Sequence, residues 1–78
     1  MSEHPDGLDA AFDELDRAMP PNWALGAIGP VTTGAGRMWR AIAIGHHGAR
    51  HAEDGATRAA AVLALAGWLR REFAGRSA

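Results

Sequence analysis

His46, His47 and His51, followed closely by Glu53 and Asp54, form a cluster of residue types that suit metal ligation. Their spacing does not complete a site. In a turn the adjacent side chains of His46 and His47 diverge, and His51 pairs across a hairpin with only one of them, leaving two ligands where a catalytic zinc needs three. The histidines are therefore expected as solvated turn residues; only a dimer bringing two such pairs together would change that. The hydroxyls that could serve as nucleophiles are Ser2, Thr32, Thr33, Thr57 and Ser77, at chain ends, in a turn or at a helix cap, with no base and orienting group beside them. The segment GPVTTGAG is glycine-rich but lacks both a Walker A lysine and a GxGxxG frame. No enzymatic activity, metal or other cofactor is expected.

Charge is the more informative chemistry. Residues 1–16 hold Glu3, Asp6, Asp9, Asp13, Glu14 and Asp16 and no base, whereas residues 17–78 hold eight arginines against Glu53, Asp54 and Glu72. The net charge of -1 therefore hides two opposite halves. Asp6, Asp9, Asp13 and Asp16 recur every three or four residues, which on a helix forms a row of carboxylates ~5–6 Å apart, close to the spacing of phosphates along a nucleic-acid strand. Together with Glu14, these acids form a candidate partner-binding face that could compete for a basic surface. The simpler role for the same acids is to meet the positive end of their own helix and keep its outer face soluble.

The elements that must carry these residues follow from periodicity. Leu8, Phe12, Leu15 and Met19 form one helical stripe, with Asp6 expected as N-cap, Asp9 as an imperfect capping-box partner and Pro20-Pro21 as the stop. Trp23, Leu25, Ala27 and Val31 alternate with Ala24, Gly26 and Ile28, the period of a strand, and Gly29-Pro30 weakens it towards an edge or a bend. After a flexible turn over residues 32–36, residues 37–44 read as the strongest strand, with Trp39, Ala41 and Ala43 on one side and Met38, Arg40, Ile42 and Ile44 on the other. Residues 45–48 supply a turn and 49–53 a third strand. Thr57 then caps a long helix to about Ala74, with Gly75 as its stop; Val62, Leu65, Leu69 and Phe73 form its stripe, widened by Ala61 and Trp68. The expected fold class is α+β: an α-β-β-β-α order with a three-stranded antiparallel sheet packed with two helices.

Seventy-eight residues without cysteine allow one domain over residues 1–78, with 1–5 and 76–78 expected to fray. A chain this small has little core and no disulfide staple, so a homodimer is expected, and the lack of cysteine suits a cytoplasmic protein. A sheet covered on one side only would expose Met38, Ile42 and Ile44 or else Trp39. Met38, Ile42, Ile44 and a partly exposed Trp68 are accordingly the candidate dimer interface. The charge-free stretches 18–36 and 59–68 are too broken or too short to span a bilayer, and no signal peptide is expected from an acidic start without an apolar region.

The α-β-β-β-α order resembles that of double-stranded-RNA-binding domains, with residues 55–61 (GATRAAA) where that family starts its last helix. That resemblance implies RNA binding through Arg50, Arg58, Arg70 and Arg71. The chain departs from it where the family carries a lysine-rich helix start, and its acidic first helix would repel phosphate, so direct nucleic-acid binding is not expected. Residues 37–71, with WRAIAIG followed by ARHAEDGATRAAAVLALAGWLRR, also resemble a pattern of small phage and prophage proteins: a W-x-A strand, a short hairpin, and a Gly-x-Thr helix start leading to A-x-x-x-L-x-x-W-L. The proline-glycine hairpin and acidic helix start of antitoxin-type versions are missing. This likeness implies a stoichiometric inhibitor of host defence, similar to the anti-CRISPR proteins that block type I surveillance complexes. The expected partner is thus a host protein complex.

Overall fold

In a computed structural model that describes residues 7–73, the chain order is α1 (Leu8–Ala18), β1 (Ala24–Thr33), β2 (Gly36–Ile44), β3 (Arg50–Gly55) and α2 (Arg58–Phe73). The three strands form one antiparallel sheet in the order β1-β2-β3. This is the expected α-β-β-β-α, α+β architecture. Asp6, the expected stop at Gly75 and the chain ends 1–5 and 76–78 lie outside the described residues.

Local chemistry explains most boundaries. The Thr57 hydroxyl accepts the Ala60 amide at 3.0 Å and the Thr57 carbonyl accepts that of Ala61 at 3.0 Å, so the expected cap of α2 is in place. The start of α1 differs from expectation. Gly7, in a left-handed conformation at φ 71°, occupies the N-cap position, and among the described residues no side chain caps the helix. Ala10, not an acid, therefore stands at the third helical position from this cap, and Asp6, the other member of the expected capping box, lies outside the described residues. Between β1 and β2 only Gly34 and Ala35 turn the chain; the Thr33 hydroxyl accepts the Ala35 amide at 3.0 Å and donates to the Gly36 carbonyl at 3.2 Å. The expected loose turn over 32–36 is a tight hairpin. The second hairpin turns over His46–Gly48, where His47 and Gly48 both take positive φ, the pattern of a type I′ turn that matches the twist of its flanking strands.

The register of β1 corrects the simple alternation read from its sequence. Pairing passes from Leu25↔Ala43 to Ala27↔Ile42, so Gly26 is an extra residue and the strand changes phase there. Leu25 and Ile28 consequently share the face of Ala43 and Ala41, while Ala27 and Val31 lie on the face of Ile42 and Met38. A Cβ at residue 26 would stand 2.5 Å from Ile44 Cδ1, so the glycine makes room for that side chain.

Both helices cover the Trp39-Ala41-Ala43 face. Ala41 and Ala43 are fully buried in one cluster with Ala11 and Leu15 of α1 and Ala59, Ala61, Val62, Leu65, Ala66 and Leu69 of α2. Six of those ten residues are alanines, so helix and sheet approach closely and the apolar bulk falls on Val62, Leu65 and Leu69. At one crossing, a Cβ on Gly55 would meet the backbone of Ala60 and Ala61, so β3 and α2 touch main chain to main chain. α2 packs against α1, β2 and β3.

Candidate functional site

The acidic face is built on α1, whose apolar stripe binds it to the core. Ala11 and Leu15 are buried, with Leu8, Phe12, Ala18 and Met19 packed around them. At 100° per residue, Asp9, Asp13 and Asp16 fall on one side of that stripe, next to Phe12, and Glu14 falls on the opposite side. Asp9, Asp13 and Asp16 are exposed. Glu14 is turned to the other helix: it accepts a hydrogen bond from the Arg70 guanidinium of α2 and pairs with Arg17 at 3.2 Å. The Arg70 hydrogen bond and charge, with Arg17 adding to them, hold the Glu14 carboxyl below the usual range. Among the described residues no hydrogen bond or ion pair engages the carboxylates of Asp13 or Asp16. The acids expected to act together thus divide: Asp9, Asp13 and Asp16 face outward as one row, Glu14 ties α1 to α2, and Asp6 is outside the described residues.

Between α1 and the start of β1 the helix stands off the sheet, leaving a groove of about 480 Å³. Its floor is Phe12, Leu15, Met19, Trp23 and Leu25; Asp13 and Asp16 line its edge. Sequence periodicity could not reveal this groove, because it depends on how far α1 stands from a strand that follows it across a proline turn. Trp23 is its rigid wall. The indole lies over Gly45, where a Cβ would come within 2.5 Å of the ring, and makes edge contacts with Trp68 and Phe73 at centroid separations of 5.8 and 5.7 Å.

The proposed dimer residues do not form one surface. Met38, Ile42 and Ile44 lie on the uncovered face of the sheet, beside Val31, Ala27 and Ala52, and Ile44 is 45% exposed. Trp68 is on the helix side, stacked on the His51 ring at 3.7 Å and 7° and packed edge-on against Trp23 and Phe73. It cannot share an interface with the other three without leaving that cluster. At the middle of the open face Arg40 donates two hydrogen bonds to Asp54, at 2.7 and 3.0 Å. The Arg40 bond, more than its charge, holds the Asp54 carboxyl below its ordinary value, and Asp54 in turn raises the guanidinium.

The histidines separate as well. His46 and His47 are exposed in the turn, whereas His51 is half-buried beneath Trp68 and shares a 2.5 Å hydrogen bond with Glu53. The expectation of a solvated His51 is corrected by its register: opposite Ala43, it faces the helices. Among the described residues no three His, Asp or Glu side chains are grouped to hold a metal. The arginines that an RNA-binding reading would need are dispersed. Arg50 is on the open sheet face, Arg58 lies 5.2 Å over the Trp39 ring, and Arg70 is paired with Glu14 about 18 Å further along α2, at ~1.5 Å per residue. Arg71 is exposed beside it.

No helix among the described residues is long and apolar enough to cross a membrane. No family model, curated protein or solved structure matches the chain.

Proposed function

We propose that this chain is a non-enzymatic inhibitor that binds a protein complex through the acidic face of α1, occupying a basic surface that would otherwise hold nucleic acid. The observation that carries the reading is that Asp13 and Asp16 stand exposed, with no partner among the described residues, on a helix whose Glu14 is paired with Arg70 and Arg17. The likeness of residues 37–71 to small phage proteins makes a host defence complex the proposed partner, with a type I CRISPR surveillance complex as the specific case.

The test is competition. Purified type I surveillance complex is titrated with target DNA in the presence of the chain or of its Asp9→Asn/Asp13→Asn/Asp16→Asn variant. The wild type should displace DNA and the triple variant should lose about tenfold or more in potency, with the difference shrinking at high salt, since rim charges act mainly on encounter and sign selection. DNA binding left untouched by the wild type, or equal potency of the two proteins, would sink the reading.

The uncovered sheet face favours a second reading that is compatible with the first, a homodimer. Met38, Ile42 and Ile44 form its apolar part, and the Arg40-Asp54 pair at its middle is internally neutralised, with the charge of Arg50 beside Ile44 on the same face. Double-stranded-RNA binding finds no such support, because its arginines do not converge and the helix that would approach the duplex carries the carboxylate row.

A further inference from the structure

The groove beside the acidic row joins two features that a packing gap between helix and strand does not require together: an apolar floor and carboxylates at its rim with no partner among the described residues. We propose that this groove is an anchoring subsite that takes one apolar side chain from a basic protein segment, whose arginines or lysines on either side reach Asp13 and Asp16. The proposal rests on the acidic-face reading and narrows it, moving the centre of recognition from the whole of α1 to the end nearest β1.

The occupant follows from charge complementarity. Phosphates and anionic lipid headgroups would meet carboxylates at the rim, and an uncharged apolar segment would leave Asp13 and Asp16 to be partly desolvated without compensation. A cationic segment with an apolar centre satisfies both parts of the groove. The division of labour is that of a small interface: the buried apolar anchor supplies affinity, and the rim charges select sign and speed encounter. The site is also preformed. Trp23 is held by Gly45 beneath it and by the edges of Trp68 and Phe73, and Phe12 and Met19 belong to the stripe that packs α1 onto the core, so little side-chain freedom remains to be lost on binding.

The experiment is a two-dimensional NMR titration of the full chain with three synthetic peptides: two leucines between pairs of arginines, the same peptide with serines for the leucines, and the same with glutamates for the arginines. The leucine-arginine peptide should shift the amides of Phe12, Met19 and Leu25 and the Trp23 indole, with the serine peptide at least tenfold weaker. Asp13→Asn/Asp16→Asn should also weaken it at least tenfold, and Asp9→Asn, on the same row but not among the groove residues, should leave it within about twofold. Both variants change exposed side chains, so they retain the fold. If the serine peptide binds as well as the leucine peptide, with shifts spread along the row to Asp9, the groove is overturned while the acidic face stands. Equal binding of the glutamate peptide would overturn both. The residues following Phe73 include Arg76; if removing residues 74–78 strengthens peptide binding more than tenfold, the chain's own terminus is the occupant and the proposal falls.

Discussion

Gly55 and Glu14 show how single residues set this molecule's tolerances. Gly55 sits where β3 touches α2, and a methyl group there would lie 2.6 Å from the Ala60 carbonyl carbon, which cannot move without shifting the helix. Gly55→Ala should therefore cost at least about 2 kcal/mol in urea unfolding, whereas Gly29→Ala, with nothing within 4 Å of the added carbon, should change stability by less than about 0.5 kcal/mol. Two depressed carboxyls set the acid response. Glu14 and Asp54 both titrate lower in the folded chain than in the unfolded one, because Arg70 and Arg40 bond their ionised forms. Their contribution is complete above the ordinary carboxylate range and is lost as pH falls through the lowered folded values. The urea midpoint should accordingly decline below roughly pH 4, and Glu14→Gln/Asp54→Asn should flatten that decline. An unchanged slope in the double variant would assign the acid sensitivity to other groups.

At the scale of elements, the beginning of α2 is fixed by a side-chain cap. The Thr57 hydroxyl satisfies one of the amides that a helix start leaves open, so Thr57→Ala should destabilise the fold by about 1 kcal/mol, read as a lower melting temperature by circular dichroism, while Thr57→Ser should restore most of it. The stripe Val62, Leu65, Leu69 and Phe73 was legible because a helix repeats its contacts every three to four residues within one segment. β1 was only partly legible. Gly29 and Pro30 pointed to an edge or a bend, of which the strand takes the edge, but its phase depends on the bulge at Gly26, where Ile44, eighteen residues away on β2, leans into the space a side chain would fill. The capping of α1 was misread for a similar reason: acids near a helix start suggest a cap, yet backbone geometry gave that position to Gly7.

At the scale of the whole molecule, two helices on one side of three strands leave the other face of the sheet without a second layer among the described residues. Burying that face against a twin would add the apolar area that a core rich in alanine lacks. Sedimentation equilibrium at sub-millimolar concentration should give twice the 8.2 kDa chain mass, and Ile42→Lys should return the monomer, whereas Trp68→Ala, on the opposite side of the sheet, should leave the dimer mass unchanged. A wild-type mass of a single chain under those conditions ends the dimer reading. A dimer of that kind would keep both α1 helices on its outer surfaces, so that the acidic row and its groove remain open in each copy.

The sequence by itself determined the order of elements, the Thr57 cap, the apolar stripes of both helices and the outward row of Asp9, Asp13 and Asp16, because each is a matter of spacing within one short segment. The tertiary structure alone decided which sheet face is covered, that Trp68 lies over His51 on the side away from Ile42, that Glu14 is bound by Arg70 and so leaves the acidic row, and that a groove opens between α1 and β1. Those outcomes join residues far apart in the chain, 56 positions in the case of Glu14 and Arg70, and no local period records which distant partner a side chain will meet.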